Sequence, residues 1–107
     1  MEQDMIVEYI RYRLPAADAG AFEADYARAA ASLASSPYCL GYALDRCAEE
    51  AGIYVLRIRW TSAEGHLQGF RRSEHFGPFL AAIRAYVPRI EEMRHYEPTA
   101  VAGSRAD

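Results

Sequence analysis

Lysine and asparagine are absent from the 107 residues. All twelve basic residues are arginine, so a catalytic Schiff-base lysine is excluded. Cysteine is scarce. Cys39 and Cys47 are eight apart on what reads as a single strand, roughly 26 Å at about 3.3 Å per residue, far beyond disulfide reach. They are expected to be reduced. No CxxC, no HExxH and no tight His/carboxylate cluster is visible in the sequence, so no metal site is expected. No segment is apolar for long enough to span a bilayer, and the N-terminal MEQDM lacks the basic and apolar regions of a signal peptide. A cytoplasmic location with no membrane partner is the expectation. The formal charge of −3 leaves no basic footprint for nucleic acid.

What is present is an ordinary soluble composition, half apolar and a quarter charged. The length suits one domain, expected over residues 1–98, with 99–107 as a flexible tail. The densest chemistry lies between Trp60 and Pro98, which holds the only tryptophan and all three histidines. Thr61 stands three residues before Glu64, the spacing of a capping box, so a helix is expected from about Ser62. Leu67 and Phe70 supply its expected buried side, with His66 one turn before Phe70. Ser73 offers a second N-cap ahead of Phe76, Phe79, Leu80, Ile83 and Val87, which recur at helical spacing. Two helical pieces with a bend result. Pro78 fits the first turn of the second, Pro88 helps to end it, and EEMRHYE reads as a last strand.

Upstream, DMIVEYIRYRL is apolar at both parities, the pattern of a central strand. A helix is expected from about Asp18 to Ala34 along Phe22, Tyr26, Ala29, Ala30 and Leu33. Tyr38–Cys47 and Ile53–Trp60 then form a hairpin. In the second of these strands Tyr54, Leu56, Ile58 and Trp60 share one face, and Ile53, Val55, Arg57 and Arg59 share the other. The order β-α-β-β-α-β predicts an α+β ferredoxin-like sandwich, a four-stranded antiparallel sheet with both helices on one side. Val7, Tyr9, Val55 and Met93 suggest an apolar open side, with the parity that points there left open by the sequence, and a homodimer closed sheet against sheet is inferred.

The segments PYCLGYALDRC, YVLRIRW, AEGHLQGFRRSEHFGPF and EEMRHYEP, in this order and spacing, resemble the antibiotic biosynthesis monooxygenase family of the dimeric α/β barrel superfamily, including forms associated with truncated globins. The resemblance covers residues 5 to 98. It implies a pocket between sheet and helices, and oxidation by O₂ of a small phenolic or quinol-like aromatic with no cofactor. The haem-degrading members use an asparagine, a tryptophan and a histidine ten residues after it. Here asparagine is absent, Phe70 stands in the tryptophan's place and Leu80 in the histidine's, which disfavours haem degradation. The asparagine that quinone-forming members place near the substrate is missing too.

His66 is the candidate base, because an unperturbed imidazole titrates near neutrality; the bland alternative is a helix-surface histidine. Trp60, Phe70 and Phe76 are candidate apolar walls, with Trp60 alternatively plain core. His95 and Tyr96 lie on opposite strand faces. Tyr96 is the candidate for the pocket if it shares a side with Ile90. Arg59, with Arg57, is either an oxyanion partner or paired across the dimer with Glu91 or Glu97. His75 is read as solvated, and Arg71 and Arg72 as a helix end. A second class of function stands beside the enzyme: a non-catalytic dimeric module that binds a hydrophobic ligand or haem, or docks on a globin-like partner.

Overall fold

In the computed structural model, which describes residues 5–105, the apolar alternation of the first strand becomes β1 (Ile6–Arg13). A 3-10 turn (Ala16–Asp18) leads into α1 (Ala19–Ser35), followed by β2 (Cys39–Arg46) and β3 (Ile53–Trp60). A π-helical segment (Gly65–Phe70), α2 (Phe76–Ile83), a 3-10 segment (Arg84–Arg89) and β4 (Ile90–Tyr96) complete the order. Residues 1–4 of the expected domain and 106–107 of the expected tail lie outside the described residues.

The strands make one antiparallel sheet ordered β2-β3-β1-β4, the expected ferredoxin-like arrangement. β1 is central, as its two-sided pattern requires. Its even-numbered residues Glu8, Ile10 and Tyr12 are buried beneath the helices with Tyr54, Leu56, Ile58 and Trp60 of β3. Phe22, Tyr26, Ala29 and Leu33 of α1 and Phe79 and Ile83 of α2 close over them. Fully burying a side chain of Phe22's size contributes about 1.5–3 kcal/mol. The turn between β2 and β3 depends on Gly52, at φ 87°, where a Cβ would sit 2.1 Å from the Leu14 carbonyl oxygen. Both cysteines are free. No helix among the described residues is long and apolar enough to cross a membrane.

The last strand departs from simple alternation. Register passes from Tyr12↔Ile90 to Arg11↔Glu92, which leaves Glu91 as the extra residue of a β-bulge. The Arg11 and Arg13 guanidiniums both donate to the Glu91 carboxylate. The bulge reverses parity along β4. Ile90, Met93 and His95 therefore pair with Tyr12, Ile10 and Glu8 on the helix side, and three expectations are corrected. Met93 does not belong to the open face. Tyr96 does not share a side with Ile90; it packs edge-to-face on Tyr9 at 5.2 Å. Glu91, engaged by Arg11 and Arg13, is not a spare partner for Arg57 or Arg59.

Candidate active site

The site is organised by a break in helical regularity. Ser62, rather than the expected Thr61, caps the segment after β3: its Oγ accepts the Gly65 N–H at 2.8 Å. The chain then widens, so that the His66 carbonyl accepts the Arg71 N–H at 3.1 Å across five residues, the bond of a π-turn. This register directs Gly65, His66 and Phe70 inward and leaves Leu67 44% exposed, against the expectation that Leu67 would be buried. Gly69 lets the segment lie on the Tyr38 ring, whose carbons a Cβ would meet at 2.7 Å. Ser73 is not the N-cap expected of it: its Oγ accepts the His75 N–H at 3.1 Å and donates to the Phe70 carbonyl at 2.8 Å, a turn ahead of α2, which starts after His75 without a side-chain cap.

His66 is 4% exposed, which removes the helix-surface alternative. Its ring stacks on Trp60 with centroids 4.5 Å apart and planes 9° from parallel, while Phe70 tilts against the same indole at 5.0 Å. Trp60 Nε1–H donates to Glu8 Oε1 at 3.0 Å. The same carboxylate oxygen lies 3.5 Å from His66 Nε2, and His66 Nδ1 is 2.9 Å from His95 Nε2. The result is a continuous polar path from buried Glu8, through buried His66, to His95, which is exposed. Three elements meet to make it: β1, the π-turn and β4.

Burial dominates the electrostatics. It pushes the Glu8 carboxyl up, against the lowering effects of the Trp60 N–H, His95 and Arg71. It pushes His66 down to about 4, reinforced by His95 and Arg71. His66 is thus a neutral imidazole at pH 7, and its approach to Glu8 is not an ion pair. These groups line a cavity of about 190 Å³ whose walls include Ile58, Phe70, Phe76, Phe79, Leu80 and Met93. Arg71 reaches the same cavity and lies 6.0 Å from the Phe76 ring centroid, so it is more than a helix end.

Of the residues singled out from the sequence, Trp60, His66, Phe70 and Phe76 are brought together here. Tyr96 and Arg59 are not: both project from the opposite side of the sheet. Arg59 donates to the Leu40 carbonyl at 3.4 Å. Sequence reasoning missed Glu8, His95 and Arg71, and it missed that a tight His/carboxylate cluster forms. Glu8 had a signal, as a lone acid on the Ile6, Ile10, Tyr12 and Leu14 face. His95 had none, because its side depends on the bulge.

A ferredoxin-like sandwich with an aromatic-walled cavity between sheet and helices defines the class. Residues 5–82 match the family model for antibiotic biosynthesis monooxygenase, and the chain belongs to that family. It is 26% identical to the N63A variant of SnoaB, a cofactor-independent oxygenase from Streptomyces nogalater, over 94% of this chain and 96% of that one, with a TM-score of 0.68. A conserved protein from Methanosarcina mazei shares the fold at 16% identity and a TM-score of 0.74, over 91% of this chain and 95% of that one. Among curated proteins, the uncharacterized YczJ of Bacillus subtilis is 25% identical over 76 residues, 71% of this chain and 80% of its own length.

Proposed function

We propose that this chain is an oxygenase that oxidises a small phenolic or quinol-like aromatic with O₂, and that His66 is its general base. The observation that carries this reading is a buried, neutral imidazole stacked on Trp60 and lining an aromatic-walled cavity. The family membership and the likeness to a cofactor-independent oxygenase support the reaction class. A cavity of about 190 Å³ is below the roughly 300–1,000 Å³ of drug-sized sites and favours a single-ring quinol over a three-ring anthrone.

In the tautomer that donates Nδ1–H to His95, the His66 lone pair resides on Nε2. The 3.5 Å separation from Glu8 Oε1 is longer than an ordinary hydrogen bond, so the carboxylate does not already occupy that lone pair. Transfer of the phenolic proton to Nε2 leaves an electron-rich phenolate, the species able to give an electron to O₂. Burial makes imidazolium costly in the empty site, and a phenolate formed beside it offsets that cost. Phe70 and Phe76 exclude water, and the Arg71 guanidinium faces the forming anion. The open sheet face, with Val7, Tyr9, Val55 and Tyr96 around a groove of about 530 Å³, is read as the homodimer face, to be checked by light scattering. The test of function is oxygen consumption across a panel of hydroquinones, naphthols and anthrones. Turnover of a single-ring quinol that His66→Ala lowers by roughly a hundredfold supports the proposal, and turnover unchanged in that variant removes His66 from the chemistry.

A further inference from the structure

The Glu8, His66 and His95 side chains come from three separate elements, yet one donor atom from each lies within 4.8 Å of the other two. We propose that these three residues form a binding site for one divalent first-row transition ion of the zinc or cobalt class. Two imidazoles and one carboxylate are the donor set that such ions select over magnesium or calcium, which take oxygen ligands. Bonds of about 2.0–2.2 Å in tetrahedral geometry set donors roughly 3.4 Å apart. Glu8 Oε1 lies 3.5 Å from His66 Nε2, close to that spacing, whereas His95 Nε2 stands 2.9 Å from the other imidazole nitrogen, Nδ1. His66 offers only one of its two nitrogens to an ion, so the donors close on a centre by a turn of the exposed His95 ring that gives up its contact with His66 Nδ1. Trp60 Nε1–H, at 3.0 Å from Glu8 Oε1, already holds the carboxylate in place, as partners of metal ligands do. Three protein ligands leave a fourth position, and the cavity walled by Phe70 and Phe76 adjoins it.

Ion binding does not depend on the oxygenase reading, and it is measurable without a substrate. If both hold, they exclude each other at one site, because an ion occupies the lone pair that a base requires; zinc would then inhibit quinol turnover.

The experiment uses the whole chain, stripped with a chelator and titrated with Co²⁺ and, separately, Zn²⁺. One ion per chain is expected, with the visible d–d bands of four- or five-coordinate cobalt, displaced by zinc. His95→Ala changes an exposed side chain and should leave the circular dichroism intact while weakening binding roughly tenfold or more. His75→Ala, a control away from the cluster, should bind as the parent does. Absence of stoichiometric binding in the parent overturns the proposal, as does unchanged affinity in His95→Ala. Glu8→Gln adds an independent arm: it retains the Trp60 contact through the amide oxygen but loses the anionic ligand, so equal affinity there also counts against the site.

Discussion

β1 presents two buried polar groups four residues apart on one face, Glu8 and Tyr12, and the fold completes them in opposite ways. Around Tyr12 every hydroxyl is given a partner that ends the matter. Tyr12 bonds Tyr26, Tyr54 bonds Glu23, and Tyr86 bonds Asp25, while the rings pack around Phe22, those of Tyr12 and Tyr86 edge-on and those of Tyr26 and Tyr54 tilted. Burial pushes the Tyr12 phenol up to about 12, so its hydroxyl stays uncharged through the physiological range. Around Glu8 the chain instead gathers two imidazoles and an indole N–H on a cavity whose lining also includes Tyr12 and Tyr26. The aromatic end is what a core needs. The Glu8 end places a titratable trio where apolar side chains would pack at lower cost, so its place in the fold points to chemistry rather than to stability.

That contrast is broken most directly by exchanging activity for stability at each end. His66→Ala should lower quinol oxidation by roughly a hundredfold, the usual scale for loss of a general base, while Tyr26→Phe, which trims one hydroxyl from the lining of the same cavity but leaves the Glu8–His66–His95 path intact, should leave kcat near the parent value. Oxygen-electrode rates on both variants decide it. If Tyr26→Phe lost activity as His66→Ala does, the two ends would be one functional unit.

Tyr26→Phe is expected to act on stability instead. It leaves the buried Tyr12 hydroxyl without its partner, which costs about 1–3 kcal/mol, read as a lower urea midpoint at unchanged slope. An unchanged midpoint would show that the Tyr12–Tyr26 bond contributes nothing net.

How far these two ends could be read from the sequence differs as well. The aromatic end was legible: Phe22 and Tyr26 stand on the helical line, and Tyr54 stands on the alternating face of β3, because burial imposes a period on local sequence. Half of the active end was legible by the same rule, since Trp60 closes β3 and His66, Phe70 and Phe76 cluster after it. The rest depends on irregularities that carry no periodic signature. A π-turn moved Leu67 out and His66 in, and a bulge at Glu91 exchanged Tyr96 for His95 on the helix side. Arg59 is a candidate on chemistry and Tyr96 on its parity with Ile90, and the strand register sends both to the other face. Irregular backbone is where function concentrates, so the pattern that reveals the core is least informative at the site.

Trp60→Phe sharpens the comparison within the active end. Phenylalanine keeps an aromatic surface for His66 but has no N–H for Glu8, so the carboxylate loses its one strong donor and the wall shrinks. Substrate binding should weaken by roughly threefold to tenfold, the scale of one hydrogen bond, with a smaller fall in kcat. Steady-state kinetics separate the two, and an effect confined to kcat would place the indole in the chemical step.

The smallest effect concerns the aromatic end's surface rim in acid. Hydrogen bonds from Arg46 and then Tyr54 hold Glu23 below the usual carboxylate range, those from Tyr86 and then Arg28 hold Asp25, and those from Arg13 and then Arg11 hold Glu91. For each group the folded state titrates below the unfolded state, so at acid pH the unfolded chain binds more protons and stability falls as pH falls. The contribution is fully present above the ordinary value of 4.5 for a glutamate and is lost as pH drops through the lower folded value. His66, held near 4, adds a slope of the same sign at higher pH, below about 6.5, and Glu8, pushed up by burial, opposes it. Only the rim is exposed, so only its share is screened by salt. Melting temperatures of the parent and of Glu91→Gln between pH 7 and 3 should therefore converge as the pH falls below about 4.5, with a smaller gap throughout in high salt. A gap that widened in acid would mean that Glu91 is protonated more readily in the folded chain than in the unfolded one, and that its two arginines do not hold its charge.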